Sequence, residues 1–514
     1  MSLPSSQVWE IRTDTGLDTN GGGYDPVIGT SDYTYPTSSP ISYTDLVIQA
    51  TATNVSSAIR PFVAADVGNT LNVTGGTGFT VARYSVRSVA GGIATLDIAC
   101  GTAASTGGAG KLGGALATLA IALSTTATSP TQGNTVWMRS NGTFHDLGGG
   151  VTMGFGNTVM GGAGFLLGYG TVRGDSGIPT LRQTLSLGTN NAITLSGNGY
   201  VLRGLIVDAQ GTSGGSSSTV YSGNAYHKLE RVKAINASGG GACLSTYTST
   251  LYMCEVSGGF GQGILGNTQM YNCYIHDLPK QAVSLNQSGL MFRCIVANIG
   301  ADAVGGDVPF MINCTVDNIT GNGVKATNQA SGISNWQMRG NIFSRCSGYG
   351  MLNSSGALVF APTAMLDNNA FYSCTSGNRG NFGITYSNDV TLSAMPFVSA
   401  ATGNYNINNA AGGGALLRGT SSLDTLGPTW SVPWNGFANA IDFGEYQHAT
   451  PALGLTVTGT PPVLVWDADP RSTKYDVLGY LGAAYTVLIA NTTATTYTDS
   501  SGAGYTSYSV VGVP

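Results

Sequence analysis

The sequence predicts an all-β chain built around a solenoid, a parallel β-helix, and three observations predict it. Cys254, Cys273, Cys294 and Cys314 recur at spacings of 19, 21 and 20 residues, each opening a similar phrase: C-E-V-S-G, C-Y-I-H-D, C-I-V-A-N-I and C-T-V-D-N-I. A second column, small-x-small-[IV] ending at Ile264, Val283, Val304 and Val324, advances by the same steps. Two columns moving together make each period one complete coil of chain. A coil of about 20 residues has no room for a crossover helix, since one βαβ unit needs roughly 30.

Within a coil, counting from the cysteine, position +2 is Val256, Ile275, Val296 or Val316, and position +5 is Leu278, Ile299 or Ile319. Positions +1 and +3 are mixed or polar, so the strands are short, with one face buried. Position +4 is Gly258, Asp277, Asn298 or Asn318, residue types that tolerate a left-handed bend. Stacked coils hydrogen-bond at about 4.8 Å and pile like residues into internal ladders. Longer coils extend the pattern, with Gly204, Glu230, Gly340 and Asn368 read at the cysteine position and extra residues assigned to loops such as 211–222 and 327–331. The solenoid is expected from about residue 135 to about 410.

The flanks follow in order. Residues 1–44 are rich in Gly, Pro, Thr and Ser and read as an extended segment, ordered only where something holds it. Residues 45–113 alternate as short strands of a small β domain. Residues 114–123, with Leu116, Leu119, Ile121 and Leu123 among alanines, read as a helix capping the open end of the solenoid, whose core and edge amides need cover. The solenoid domain with its closing segment is assigned to 114–450, and residues 451–514 to a β-sandwich.

The helix followed by G-N-T-V-W-M-x-x-N-G-T-F, ending at Phe144, resembles the opening of pectate-lyase-like single-stranded right-handed β-helix proteins. Met395 to Val398, Gly403 to Ile407 and Ile441 to Gln447 resemble that group's closing phrases. The resemblance covers about 114–448 and implies the fold; it does not imply one activity, because this fold carries lyases, hydrolases and binding proteins. The final segment, with Trp466 after an early strand and later Y-x-V and T-x-Y-x-D phrases, is similar to a short fibronectin type III domain.

Composition narrows the function classes. Charged residues are only 9% of 514, against a typical quarter, so the surface is polar and nearly uncharged. That suits sugars and argues against nucleic acid, which calls for a basic patch. No run of 18 apolar residues predicts membrane insertion. Met1 to Trp9 shows neither the basic nor the apolar region of a Sec-type signal. The eight cysteines are expected as small interior hydrophobes, not as a disulfide framework. Neither C-x-x-C nor zinc-type Cys/His spacing occurs, so no metal and no cofactor is expected.

No G-x-S-x-G, H-E-x-x-H or P-loop appears, nor the N-T-D, D-D, G-H-G and R-I-K set of polygalacturonase-like enzymes. The remaining constellation is the outward face formed by positions +1 and +3: Arg231, Lys233, Glu255, Tyr274, His276 and Asp317, expected as solvated residues. Glu255, His276 and Asp317 are the weak catalytic candidates. Glu255 and Asp317 lie three coils apart, roughly 14 Å at about 4.8 Å per coil, whereas inverting glycosidase carboxylates stand about 6.5–9.5 Å apart. Tyr274, Trp336, Arg231 and Lys233 are the glycan-contact candidates, and Trp430 and Trp434 are further aromatic platforms. The layout resembles phage tail-spike, tail-fibre and head-fibre proteins. It implies a virion surface protein that decorates the particle or attaches it to the host, assembled in the host cytoplasm and released by lysis. The expected partners are other virion proteins through the N-terminal region, host surface polysaccharide, and further copies of the chain, as in the trimers of that group. A β-helix polysaccharide depolymerase and a bacterial cell-surface adhesin are the alternatives.

Overall fold

A computed structural model describes residues 8–23, 40–123, 135–153 and 164–417, apart from 174, 176, 186–189, 212–214, 224, 286–288, 307–309, 327–332, 335, 355–358, 361–364, 382–387 and 409, together with 450–513 apart from 452–455, 459–460, 466–473, 482–483, 502–504 and 506. Trp430, Trp434, Trp466 and the closing phrase 441–447 lie outside these residues.

Strands follow one another round three faces and pair in parallel with the rung above and below. One rung shows the pattern: Ser249–Tyr252 on the first face, Glu255–Gly259 on the second and Gln262–Gly266 on the third. The third face is a sheet of 10 strands, while the first two merge into one of 20. They merge because one residue turns the corner between them. Met253, Asn272, Arg293 and Asn313 take this bend at φ 53–54°. A second left-handed column closes the second face at Asn236, Gly258, Asp277, Asn298, Asn318, Arg345 and Ser373. This is the predicted +4 bend. Its exposed amides form a ladder, Asn318 Nδ2 donating to Asn298 Oδ1 at 2.8 Å and Asn298 Nδ2 to Asp277 Oδ1 at 2.9 Å.

The four cysteines stand in one internal file and are all buried. Tyr274, Ile295, Thr315 and Ile342 amides each donate at 2.9 Å to Cys254, Cys273, Cys294 and Cys314 carbonyls of the preceding rung. Val256, Ile275, Val296 and Val316 pair in register beside them, as do Ile264, Val283, Val304 and Val324 on the third face. Beyond the 20-residue coils the register differs from the expected one. Lys233, not Arg231, pairs with Glu255, and Leu205 pairs with Val232. Upward, Thr315 pairs with Ile342, which pairs with Ala370. The file therefore runs through Val232 in place of Glu230, and through Asn341 and Asn369 in place of Gly340 and Asn368. Below Cys254 the file is aliphatic, at Val232 and Leu205; above Cys314, polar side chains replace sulfur. Asn341 Oδ1 accepts the Cys314 amide at 2.9 Å, Asn369 Oδ1 accepts the Asn341 amide at 3.2 Å, and Asp389 Oδ1 accepts the Asn369 amide at 3.0 Å. A buried polar side chain fits the file because it has these partners.

The N-terminal segment is held by the solenoid. Val8–Ile11 pairs in parallel with Thr135–Arg139, the first rung, and Trp9 and Ile11 are fully buried there. Glu10, also fully buried, meets Arg12 Nε at 3.1 Å, Arg173 Nη2 at 2.7 Å and the Tyr169 hydroxyl, so the buried charge is compensated. The capping helix is shorter than expected at its start: it begins at Leu119, not at 114. Residues 115–116 are instead claimed by the N-terminal segment, Arg12 and Leu17 amides donating to Leu116 and Ala115 carbonyls. Asp18 receives the Ala117 and Thr118 amides just before the helix. Leu119, Ala122 and Leu123 plug the core.

Residues 41–112 close into a six-stranded barrel with its own core of Tyr43, Leu46, Leu71, Tyr84 and Leu112. Residues 450–513 form antiparallel sheets of four and three strands, with Leu464, Val477 and Val510 buried together.

Candidate functional site

The second face carries most of the predicted site, and the chain itself covers the upper part of it. Phe397–Ser399 and Asn404–Ile407 pair antiparallel and lie back over the outward side chains. Phe397, Ala400, Tyr405, Ile407 and Leu417 pack on Ile295, Ala297, Ile342 and Ala370, outward residues that this cover buries. Asp317 sits under the same cover at 0% exposure, gripped by Arg345 Nε at 3.0 Å and Nη2 at 2.5 Å from the next rung. The reading of Asp317 as a solvated surface charge is therefore corrected. A sealed carboxylate in a two-pronged ion pair has no path to a substrate.

Below the cover the face opens, and here Lys233, Glu255, His276 and Asp277 meet. His276 Nε2 lies 3.1 Å from Glu255 Oε1 and Nδ1 lies 2.7 Å from Asp277 Oδ2. Lys233 Nζ reaches Glu255 Oε1 at 2.7 Å. Tyr274 stacks on the imidazole with centroids 4.0 Å apart and turns its edge to Tyr405 at 6.4 Å. Hydrogen bonding from His276, helped by Lys233, holds the Glu255 carboxyl down at about 2. Burial opposes charge on His276, but its bonds to Glu255 and Asp277 outweigh burial and raise its pKa. Burial likewise opposes charge on Asp277, and its bonds to His276 and Asn298 prevail and lower its pKa. The group is thus a fixed array of two carboxylates, an ammonium and an imidazole whose protonated form is favoured. It orients hydrogen bonds; it holds no proton ready to donate at a carboxyl. Under the cover, the Tyr405 hydroxyl is buried without a hydrogen-bond partner among the described residues.

Two sequence candidates move. Trp336 is not a surface platform: it is fully buried within the solenoid core, where a large apolar ring removes the most area from water. Arg231 occupies the corner between the first and second faces, at φ 53°, not the strand face beside Lys233. The register shift described above is the reason.

The first face holds a feature that the sequence reading passed over. Tyr252, Tyr271, Phe292 and Ile312 pair in register as an outward column, each half-buried. Tyr271 and Phe292 centroids are 6.3 Å apart, and Arg293 at the bend lies over Phe292. The neighbouring outward column is Thr250, Gln269, Leu290 and Phe310. These strand positions carry no charge. Ion pairs bound the strip on both sides, Arg203 with Glu230 at 3.0 Å below and Arg339 with Asp367 at 2.9 Å above. Tyr226 and Tyr247, 62% and 58% exposed, stand where the third face turns into the first. The signal was legible as an aromatic two places before successive cysteines.

Among the described residues no cluster of His, Cys, Asp and Glu is arranged to hold a metal, and no helix is long and apolar enough to cross a membrane. No protein-family model matches the chain, and no curated protein does. Among solved structures the chain is similar to pectate lyase Pel9A, at 11% identity over 65% of this chain and 91% of that one, with a TM-score of 0.45. It is also similar to the catalytic domain of a GH87 alpha-1,3-glucanase in complex with tetrasaccharides, at 9% identity over 74% and 97%, TM-score 0.21. The tailspike protein gp49 from Pseudomonas phage LKA1 matches at 10% identity over 73% and 66%, TM-score 0.13. The parallel registers of this chain establish its β-helix independently of these similarities.

Proposed function

We propose that this chain is a surface protein of a phage particle that binds host surface glycan and does not cut it. One observation carries the glycan reading: the Tyr252 and Tyr271 rings, one per rung on a strip of strand positions without formal charge between flanking ion pairs. Rungs repeat at about 4.8 Å, so the rings offer a row of apolar platforms with hydroxyl tips, the amphipathic chemistry that suits sugar faces. Lys233 and Glu255, round the corner, add fixed polar contacts.

Attachment to the particle falls to the N-terminal barrel. Its loop 58–67 turns Ile59, Val63 and Val67 outward, Ile59 at 70% exposure. The loop is nonetheless pinned, Asp45 receiving the Ala58 and Ile59 amides and Asp66 gripping Arg60. A rigid apolar projection is a feature of protein–protein contact sites. The fibronectin type III reading of 450–513 fits a projecting spacer: its two antiparallel sheets suit it.

The test is a panel of capsule and lipopolysaccharide substrates. Saturable retention without release of reducing ends or unsaturated products supports the reading; release of either product overturns the non-cleaving part, and absence of retention across the panel overturns glycan binding. Absence of the chain from purified particles overturns the virion assignment. The depolymerase alternative draws on the contact among Glu255, His276 and Asp277; its hydrolase form needs a carboxyl kept protonated to serve the leaving oxygen, whereas Glu255 is held at about 2, and its lyase form is decided by the assay for unsaturated products.

A further inference from the structure

Cys346 and Cys374 occupy the same place in successive rungs. Ile342, Phe343 and Ser344 pair in order with Ala370, Phe371 and Tyr372. Each cysteine then follows a left-handed residue, Arg345 or Ser373, both at φ 52°. The Thr375 amide donates to the Cys346 carbonyl at 2.9 Å, so the register holds through the bend. Successive rungs lie about 4.8 Å apart, within the roughly 4.4–6.8 Å between Cα atoms that a disulfide spans. Cys346 Sγ meets the Ser344 carbonyl at 3.9 Å, and Cys374 Sγ meets the Phe343 and Tyr372 carbonyls at 3.7 and 3.9 Å.

The same stacking occurs at Cys254, Cys273, Cys294 and Cys314, but there every thiol is buried, whereas here Cys346 is buried and Cys374 only partly so. Each of the inner ones is also clamped by rungs on both sides, which blocks the further approach of Cβ atoms, to about 3.8 Å, that a bridge requires. Cys374 differs twice. It is only partly buried. The strand above it, Val390–Leu392, pairs with Ala370–Tyr372 and stops short of the cysteine. Its side chain therefore has partial solvent access and no paired strand directly above it. Electrostatics runs the same way. Burial raises the Cys254, Cys273 and Cys294 thiols well above the ordinary range; in the other pair the two thiols act on each other, Cys374 raising Cys346 well above that range and Cys346 lowering Cys374. The thiolate is the form that attacks a disulfide.

We propose that Cys346 and Cys374 form an oxidisable dithiol that closes into a disulfide across the last rungs when the protein meets a small-molecule disulfide. With oxidised glutathione, the Cys374 thiolate attacks one sulfur, the glutathione S–S bond breaks, and one glutathione leaves as thiolate. Cys346 then gives its proton to solvent and attacks the Cys374 sulfur, expelling the second glutathione. Two protein thiols lose two hydrogens in all, and one oxidised glutathione becomes two reduced. The bridge ties the top of the solenoid shut next to the covering segment, a change suited to a protein that moves from a reducing cytosol to an oxidising exterior.

The test uses the full-length native protein incubated with oxidised glutathione, then alkylated under denaturing conditions and digested without reductant. The expected result is a loss of two hydrogens in intact mass and one cross-linked peptide joining Cys346 to Cys374, with Cys254, Cys273, Cys294 and Cys314 recovered alkylated. Cys374→Ser abolishes the cross-link and Cys254→Ser keeps it. A glutathione adduct that persists on Cys374, cross-links spread over the internal file, or full recovery of every thiol overturns the proposal. The mapping on the unaltered protein decides the matter even where a variant fails to fold.

Discussion

Asp317 and Arg345, one rung apart, form a two-pronged ion pair in which the acid is fully buried and about a third of the base side chain stays in contact with water. The asymmetry sets the cost of breaking it. Arg345→Leu strands an uncompensated buried carboxylate and is expected to cost about 3 kcal/mol, at the scale of a broken buried pair. Asp317→Leu leaves a guanidinium that swings into solvent, and costs less than about 2 kcal/mol after discount for screening. Urea midpoints of the two variants measure the order; equal or reversed losses contradict the burial described.

The open cluster predicts a pH window. Glu255 is depressed to about 2, so its contribution to stability is complete above its ordinary value and disappears as pH falls toward 2. His276 is raised, so its contribution is complete below its ordinary value of 6.5 and disappears as pH rises through the folded value. Both contributions are present together between about pH 4.5 and 6.5. Proton NMR titration of His276 is expected to show a midpoint above 6.5 that drops in Glu255→Gln. A midpoint unmoved by that change removes Glu255 as a partner.

Much of this architecture was legible because one physical requirement repeats. The cysteine file, the Ile264 column and the left-handed bends at Asp277, Asn298 and Asn318 each answer the same demand every rung. Legibility failed where the demand was met by other chemistry. Asn341 replaces a cysteine, so matching letter for letter chose Gly340. The cover over Asp317 depends on residues 397–417 folding back onto a distant face, which no local period announces. Trp336 looked like a platform because its burial is decided by neighbours from other rungs.

Asn341 gives the third prediction. Its side chain accepts from the Cys314 amide and donates to the Met311 carbonyl and to Asn369 Oδ1, at 2.9, 2.9 and 3.0 Å. Asn341→Leu takes the side-chain partner from the Cys314 amide and the Met311 carbonyl, while Asn369 Oδ1 keeps the residue-341 amide, and a loss of about 2 kcal/mol or more is expected at about 1–3 kcal/mol per stranded group. Asn298 supplies the contrast: it is exposed and held at φ 56°. Asn298→Gly removes two exposed ladder bonds and relieves the bend, so its midpoint stays near that of the parent, while Asn298→Val costs about 1–2 kcal/mol. A denaturation series that ranks Asn298→Gly as the worst of the three contradicts the account of both columns.

Tyr271 separates binding from stability. Its ring stands outward on the first face above Tyr252, paired rung to rung, and its neighbour Phe292 is already covered by Arg293. Removing the Tyr271 ring takes little from the core, since the inward residue at this level is Met270. A platform role predicts that Tyr271→Ala weakens retention of a bound polysaccharide by about tenfold, on the scale of ~1.4 kcal/mol for one aromatic contact, while the thermal midpoint changes little. Phe292→Ala, on the covered ring, is expected to weaken retention less. Lys233→Ala, on the charged cluster, is expected to act through salt-sensitive contacts, with its effect shrinking as ionic strength rises. Affinity electrophoresis in gels carrying the polysaccharide reads all three. Equal retention by Tyr271→Ala and the parent protein at matched stability removes the first face from the binding surface and leaves the polar cluster at Glu255 as the place to look.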